Sequence, residues 1–158
     1  MIDFVAHAPA KPCWRAWPAR LGAWLDAARP AGDLLLRLWL AQVFWVSGQT
    51  KIQSWDSTLY LFENEYAVPL LPPEWAAYLA TSVELAFPVL LVLGLGGRFA
   101  AWVLLVFNGV AVLSYPDLGA AGLEQHGVWG LMLLVALLHG PGAWSLDHWL
   151  GRRWRMPR

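Results

Sequence analysis

The chain has 158 residues, 58% of them hydrophobic and 14% charged, roughly half the charge share of a soluble globular domain, so water is not the only solvent it is built for. Eleven Lys and Arg balance eleven Asp and Glu, which removes the electrostatic basis for a nucleic-acid partner. The single cysteine, Cys13, excludes an internal disulfide, a CxxC pair, a thiolate zinc site, an iron–sulfur cluster and CxxCH haem attachment.

Residues 1–30 read as a cytoplasmic N-terminal extension. Asp3 stands where a signal peptide would be basic, and Pro9, Pro12 and Pro18 break any apolar run, so no signal peptide is expected. From Ala19 to Arg29, Leu21, Trp24, Leu25 and Ala28 share one helical face, which predicts a short helix on the inner leaflet.

Crossing a bilayer takes about 20 mostly apolar residues. Leu34–Ile52 is the first such span, with Arg37 and Lys51 near its two ends. On it Arg37, Phe44, Gly48 and Lys51 fall on one helical face, a candidate inner wall, while Ser47 and Gln49 add polar groups near the outer half and Trp45 lies deep in the span. The polar stretch from Asp56 to Pro73 carries Leu59, Phe62 and Tyr66 at helical spacing, which predicts a short amphipathic helix over the outer mouth.

Ala76–Leu95 is the second span, with one charge, Glu84, near its middle. An ionised carboxylate at that depth is costly and needs a partner or a proton; Arg37 and Lys51 are candidates from opposite depths. Pro88, one turn later, removes a backbone donor and frees a carbonyl beside the carboxylate. Gly94–Gly97 forms a tight turn into the third span, Phe99–Tyr115, where Asn108 and Tyr115 share a face. The fourth span, Leu123–His139, has His126 near its start and His139 at its end. Thirteen residues, roughly 20 Å of helix, separate these two, so they cannot clamp one haem iron. No HExxH, carboxylate–His cluster or flavin motif is present, so no metal site is expected. Residues 145–158 form a basic C-terminal interfacial helix and tail, with Ser145 as its cap and Asp147 in its first turn.

Ten of the eleven basic residues fall on the side of the two termini and the Arg98 turn; only Lys51 falls on the other. The positive-inside rule therefore places both termini in the cytoplasm. Most of the twelve Trp flank the spans as an interfacial belt. The fold expected is all-α: an integral membrane four-helix bundle over residues 31–150, with short interfacial helices.

Taken in order, Arg37, Ser47-Gly48 with Lys51, Glu84 with the apolar run to Gly94-Leu95, Arg98, and Gly140-Pro141-Gly142 with Ser145-Leu146-Asp147 resemble the DoxX family of small four-helix membrane proteins. The likeness covers roughly Asp33 to Leu150. It implies a four-helix bundle in the bacterial inner membrane and an association with redox functions: one relative is part of a thiosulfate:quinone oxidoreductase, and others accompany oxidative-stress or metal-handling systems. By position it carries over Arg37, Lys51 and Glu84 as polar residues within the spans, without assigning their roles.

The expected function is that of a quinone-linked oxidoreductase subunit, with Glu84 as the acid–base group and Arg37, Lys51, Ser47, Gln49, Trp45, Asn108 and His126 as candidate binding residues. The cofactor is then a quinone, and the electrons come from the substrate directly or from a soluble or membrane redox partner. A non-enzymatic anchor or assembly subunit of a redox or metal-handling complex is the alternative, and a small-solute transporter the third reading. Membrane lipid is the surrounding partner, and four spans with little interior of their own suit homo-oligomerisation.

Overall fold

The structure, a computed structural model, describes residues 17–154; Lys11, Cys13, Arg15, Arg155 and Arg158 lie outside the described residues. Six helices account for the regular structure there: α1 (Trp17–Gln53), α2 (Trp55–Asn64), α3 (Pro73–Leu93), α4 (Gly97–Ser114), α5 (Gly119–His139) and α6 (Leu146–Trp154). Helix α1 runs unbroken through Pro30, so the expected inner-leaflet helix and the first apolar span form one 37-residue helix. Ser54 alone separates α1 from α2. There Thr58 donates to the carbonyls of Lys51 and Ser54, serving the otherwise open end of α1.

Among the described residues α3, α4 and α5 are long and apolar enough to cross a membrane. The apolar half of α1 is diluted by Arg37, Ser47, Gln49, Thr50 and Lys51, and it does not stand with them. Their surfaces have the pattern expected in lipid. Leu113, Leu131, Leu138 and Phe99 lie exposed, whereas Arg37, Thr81, Glu84, Asn108 and Ser114 are buried. A water-soluble fold sorts these residue types the other way.

Contacts run from α1 to α3, from α3 to α4, from α4 to α5 and from α5 back to α1, with α2 laid against α3 and α1. One core is built on Leu40, Phe44, Leu91, Ala100, Leu104 and Leu133; a second joins Phe62 of α2 to Ala76, Ala77 and Ala80 of α3. Lipid is as apolar as these side chains, so close approach at small residues replaces the hydrophobic effect as the source of packing energy. Gly48 is one such approach: a Cβ there would stand 2.8 Å from Leu85 Cδ2 and 3.1 Å from Glu84 Cβ.

The end of the array near Arg37 is tied by polar contacts to backbone. Gly94, at φ 63°, ends α3 in the left-handed conformation that favours glycine, and Leu95 N–H returns to Leu90 O. Asp147 of α6 accepts from Gly96 N and Gly97 N, both at 2.9 Å, and so caps the start of α4 across 50 residues of chain. Ser145 caps α6 itself, accepting from His148 N at 3.1 Å.

Candidate functional site

Ser47 and Lys51 stand one turn apart on the face of α1 that Gly48 holds against α3, and Glu84 stands opposite them. Lys51 Nζ donates to Glu84 Oε2 at 2.6 Å and to Ser47 Oγ at 3.0 Å, while Ser47 Oγ donates to Glu84 Oε1 at 3.0 Å. The three side chains form a closed triangle in which both carboxylate oxygens are occupied. The Glu84 side chain is 6% exposed and that of Lys51 18%, so neither charge is well hydrated and each depends on the other. Removing one partner from such a pair typically costs about 3–5 kcal/mol.

The triangle borders a cavity of about 550 Å³ between α3 and α4, covered by α2 and the segment that follows it. Val83, Val103, Val106 and Phe107 make its walls apolar, and Tyr66, Ser114 and Tyr115 line it as well. Tyr66 sits edge-on to Phe62 at 5.0 Å and to Tyr115 at 5.1 Å. Burial, with Tyr115, Glu65 and Glu84 as further causes, raises the Tyr66 phenol above its ordinary value. Ser114 Oγ is buried without a hydrogen-bond partner among the described residues, a state that costs about 1–3 kcal/mol in a folded protein.

His126 also lines the cavity. Its Nδ1 lies 2.8 Å from Asn108 Oδ1, and Asn108 Nδ2 donates to His126 O at 3.0 Å, so α4 and α5 are clamped by one amide. The His126 ring meets Trp129 edge-on at 4.9 Å. This makes Asn108 a tie between helices that also orients the imidazole.

Arg37 is elsewhere. It is 2% exposed, and its guanidinium donates to the carbonyls of Leu91, Val92 and Trp144, with Nε donating to Asp33 O. A cation at the C-terminus of α3 meets both the open carbonyls and the negative end of the helix dipole. Of the two cations open to Glu84 from the sequence, Lys51 is therefore the partner. Trp45 is 40% exposed and lines a separate outer groove with Pro88, and Gln49 is half-buried and lines neither space.

Ser114 and Tyr66 joined the site only in three dimensions. The signal for Ser114 in the sequence is faint: a hydroxyl at the end of an apolar span reads as an interfacial residue. Tyr66 reads as part of an amphipathic helix, and it lies just beyond the end of α2. Among the described residues no three His, Cys, Asp or Glu side chains gather as a metal-ligand set.

Comparison with known proteins adds a family. The DoxX family profile matches residues 32–116. An inner membrane protein of Escherichia coli, YphA, is 32% identical over 133 residues, covering 77% of this chain and 91% of the relative. An uncharacterized protein of Haemophilus influenzae is 31% identical over 123 residues, 72% of this chain and 80% of that protein. No solved structure matches.

Proposed function

The chain belongs to the DoxX family, and from that premise we propose that it is a quinone-linked oxidoreductase subunit of the bacterial inner membrane, a four-span bundle with both termini in the cytoplasm. The membrane assignment is supported by the apolar outer faces of α3, α4 and α5 and by the inner-membrane relative. On this reading the α1 segment from Leu34 is the fourth span, its polar face turned inward, and the Arg37 end faces the cytoplasm.

The observation that carries the chemical reading is the Lys51–Glu84–Ser47 triangle at the edge of an apolar cavity. Reducing a quinone to a quinol takes two electrons and two protons, one proton to each carbonyl oxygen. Lys51 Nζ is a charged donor for one of those oxygens, Glu84 holds that ammonium in place, and the two protons that quinol formation consumes are drawn from the aqueous phase. The apolar walls accept an isoprenoid tail. The electrons come from a redox partner outside this chain or directly from its substrate.

A second reading, a membrane platform for a partner complex, is favoured by one feature. Helix α6 presents exposed Arg152 and Arg153, with Arg153 over the Trp149 ring at 5.5 Å, well away from the cavity. The two readings part on Glu84→Gln. The amide keeps the shape and one acceptor, so the protein is expected to fold and insert while quinone-dependent turnover of the complex is lost. Unchanged turnover with Glu84→Gln sinks the oxidoreductase reading and leaves the platform.

A further inference from the structure

We propose that Ser114 is the second polar contact of the cavity's ligand, a membrane-dissolved ring carrying an oxygen on each of two opposite edges, which enters sideways between α3 and α4. This rests on the reading of the cavity as a quinone site and adds which residue meets the second ring oxygen and how the ligand arrives.

Hydroxyls in helices commonly turn back to the carbonyl four residues earlier, and this chain follows that habit elsewhere. Thr50 donates to Val46 O, Thr58 to Ser54 O, Thr81 to Ala77 O and Ser82 to Tyr78 O. Ser114 is helical and 4% exposed, and its hydroxyl makes no such bond. A buried donor left over in the wall of a cavity is a place for an acceptor on whatever fills it.

Helices α3 and α4 are antiparallel about the Gly94–Gly96 turn, so Glu84, nine residues before the end of α3, lies level with Val106, nine residues after the start of α4. Ser114 is eight residues further on, about 12 Å along the axis at roughly 1.5 Å per residue. Side chains lean toward the N-terminus of their own helix, so Glu84 and Ser114 lean toward each other across this gap. Two hydrogen bonds of about 2.8 Å each, one at either end, leave room for the width of a single six-membered ring bearing two oxygens.

The entry side follows from exposure. Leu79 of α3 and Val106 of α4 line the cavity and are themselves 55% and 47% exposed. The cavity therefore opens along the seam between α3 and α4, toward acyl chains. Leu70, at φ 67° and fully exposed, also borders it. A ligand using this opening is delivered by the bilayer.

The test uses the full chain in lipid nanodiscs and equilibrium binding of two probes, 2-methyl-1,4-naphthoquinone with two opposed ring oxygens and 1-tetralone with one. The unsubstituted chain should bind the naphthoquinone about fivefold more tightly, the usual value of one additional hydrogen bond. Ser114→Ala should erase that margin by weakening the naphthoquinone alone, because 1-tetralone keeps its bond at the Lys51 end. The substitution deletes an unpaired polar atom and little packing, so the melting temperature should hold. Equal weakening of both probes, or of neither, overturns the Ser114 contact while the cavity stands. Failure of the unsubstituted chain to bind either probe overturns the ligand-site reading and this contact with it.

Discussion

Replacing Lys51 by Met keeps the length and apolar stem of the side chain and removes its charge. Glu84 is then left 6% exposed with Ser47 as its one remaining hydrogen-bond donor. A fully buried pair broken in this way loses about 3–5 kcal/mol. Lys51 keeps 18% of its side-chain surface, so water partly screens the pair and roughly 2–4 kcal/mol is expected here. Adding Glu84→Gln to Lys51→Met removes the stranded charge and should restore most of the loss. The assay is a double-mutant cycle on unfolding in a mixed-micelle titration, with Lys51→Met, Glu84→Gln and the double variant measured side by side. A coupling of about 2 kcal/mol or more is the expected result. Additivity within about 0.5 kcal/mol refutes the view that the triangle holds α1 against α3.

Gly48→Ala should cost about 1–3 kcal/mol and loosen the Lys51–Glu84 contact, because the new methyl meets Leu85 Cδ2 at 2.8 Å; Gly109→Ala, with open space around it, should be neutral or stabilising by up to about 1 kcal/mol in the same titration. Asp147→Ala removes the acceptor from two N–H groups at the start of α4 and should lose about 1–2 kcal/mol, with faster amide exchange confined to Gly96 and the first turn that follows it. The raised Tyr66 phenol binds its proton more tightly in the folded chain, so its contribution is intact below the ordinary tyrosine value near 10 and is lost as pH climbs through the higher folded value. Tyr66→Phe should therefore flatten the fall in stability seen above about pH 10, and an unchanged slope counts against burial of that phenol.

How far the fold was legible depended on the element. Three spans were plain because continuous apolar runs have one physical solution in lipid, a helix that satisfies its own backbone. The small helix over the mouth was legible from Leu59, Phe62 and Tyr66, and it forms as α2, where Phe62 packs on Ala76 and Ala77. The N-terminal helix was expected to stop short of Pro30, yet α1 continues through it. A proline interrupts one hydrogen bond and need not end a helix whose flanks are strong formers. Asp147 was read as favouring its own helix, and its carboxylate serves the start of α4 instead, a contact separated by 50 residues and invisible to local pattern.

By itself the sequence determined that this protein is helical, that much of it is solvated by lipid, and that Glu84 needs a partner, because those conclusions follow from local composition and the cost of a bare charge in hydrocarbon. Only the tertiary structure decided which partner. Arg37 and Lys51 share a face of α1 but stand 14 residues, roughly 21 Å, apart, and the antiparallel register of α1 on α3 brings one of them level with Glu84. That register is set where Gly48 meets Leu85 and where Arg37 holds the end of α3. The same closure of α3 on α4 carries Ser114 and the triangle to one cavity, a meeting of residues from separate helices that no single stretch of chain encodes.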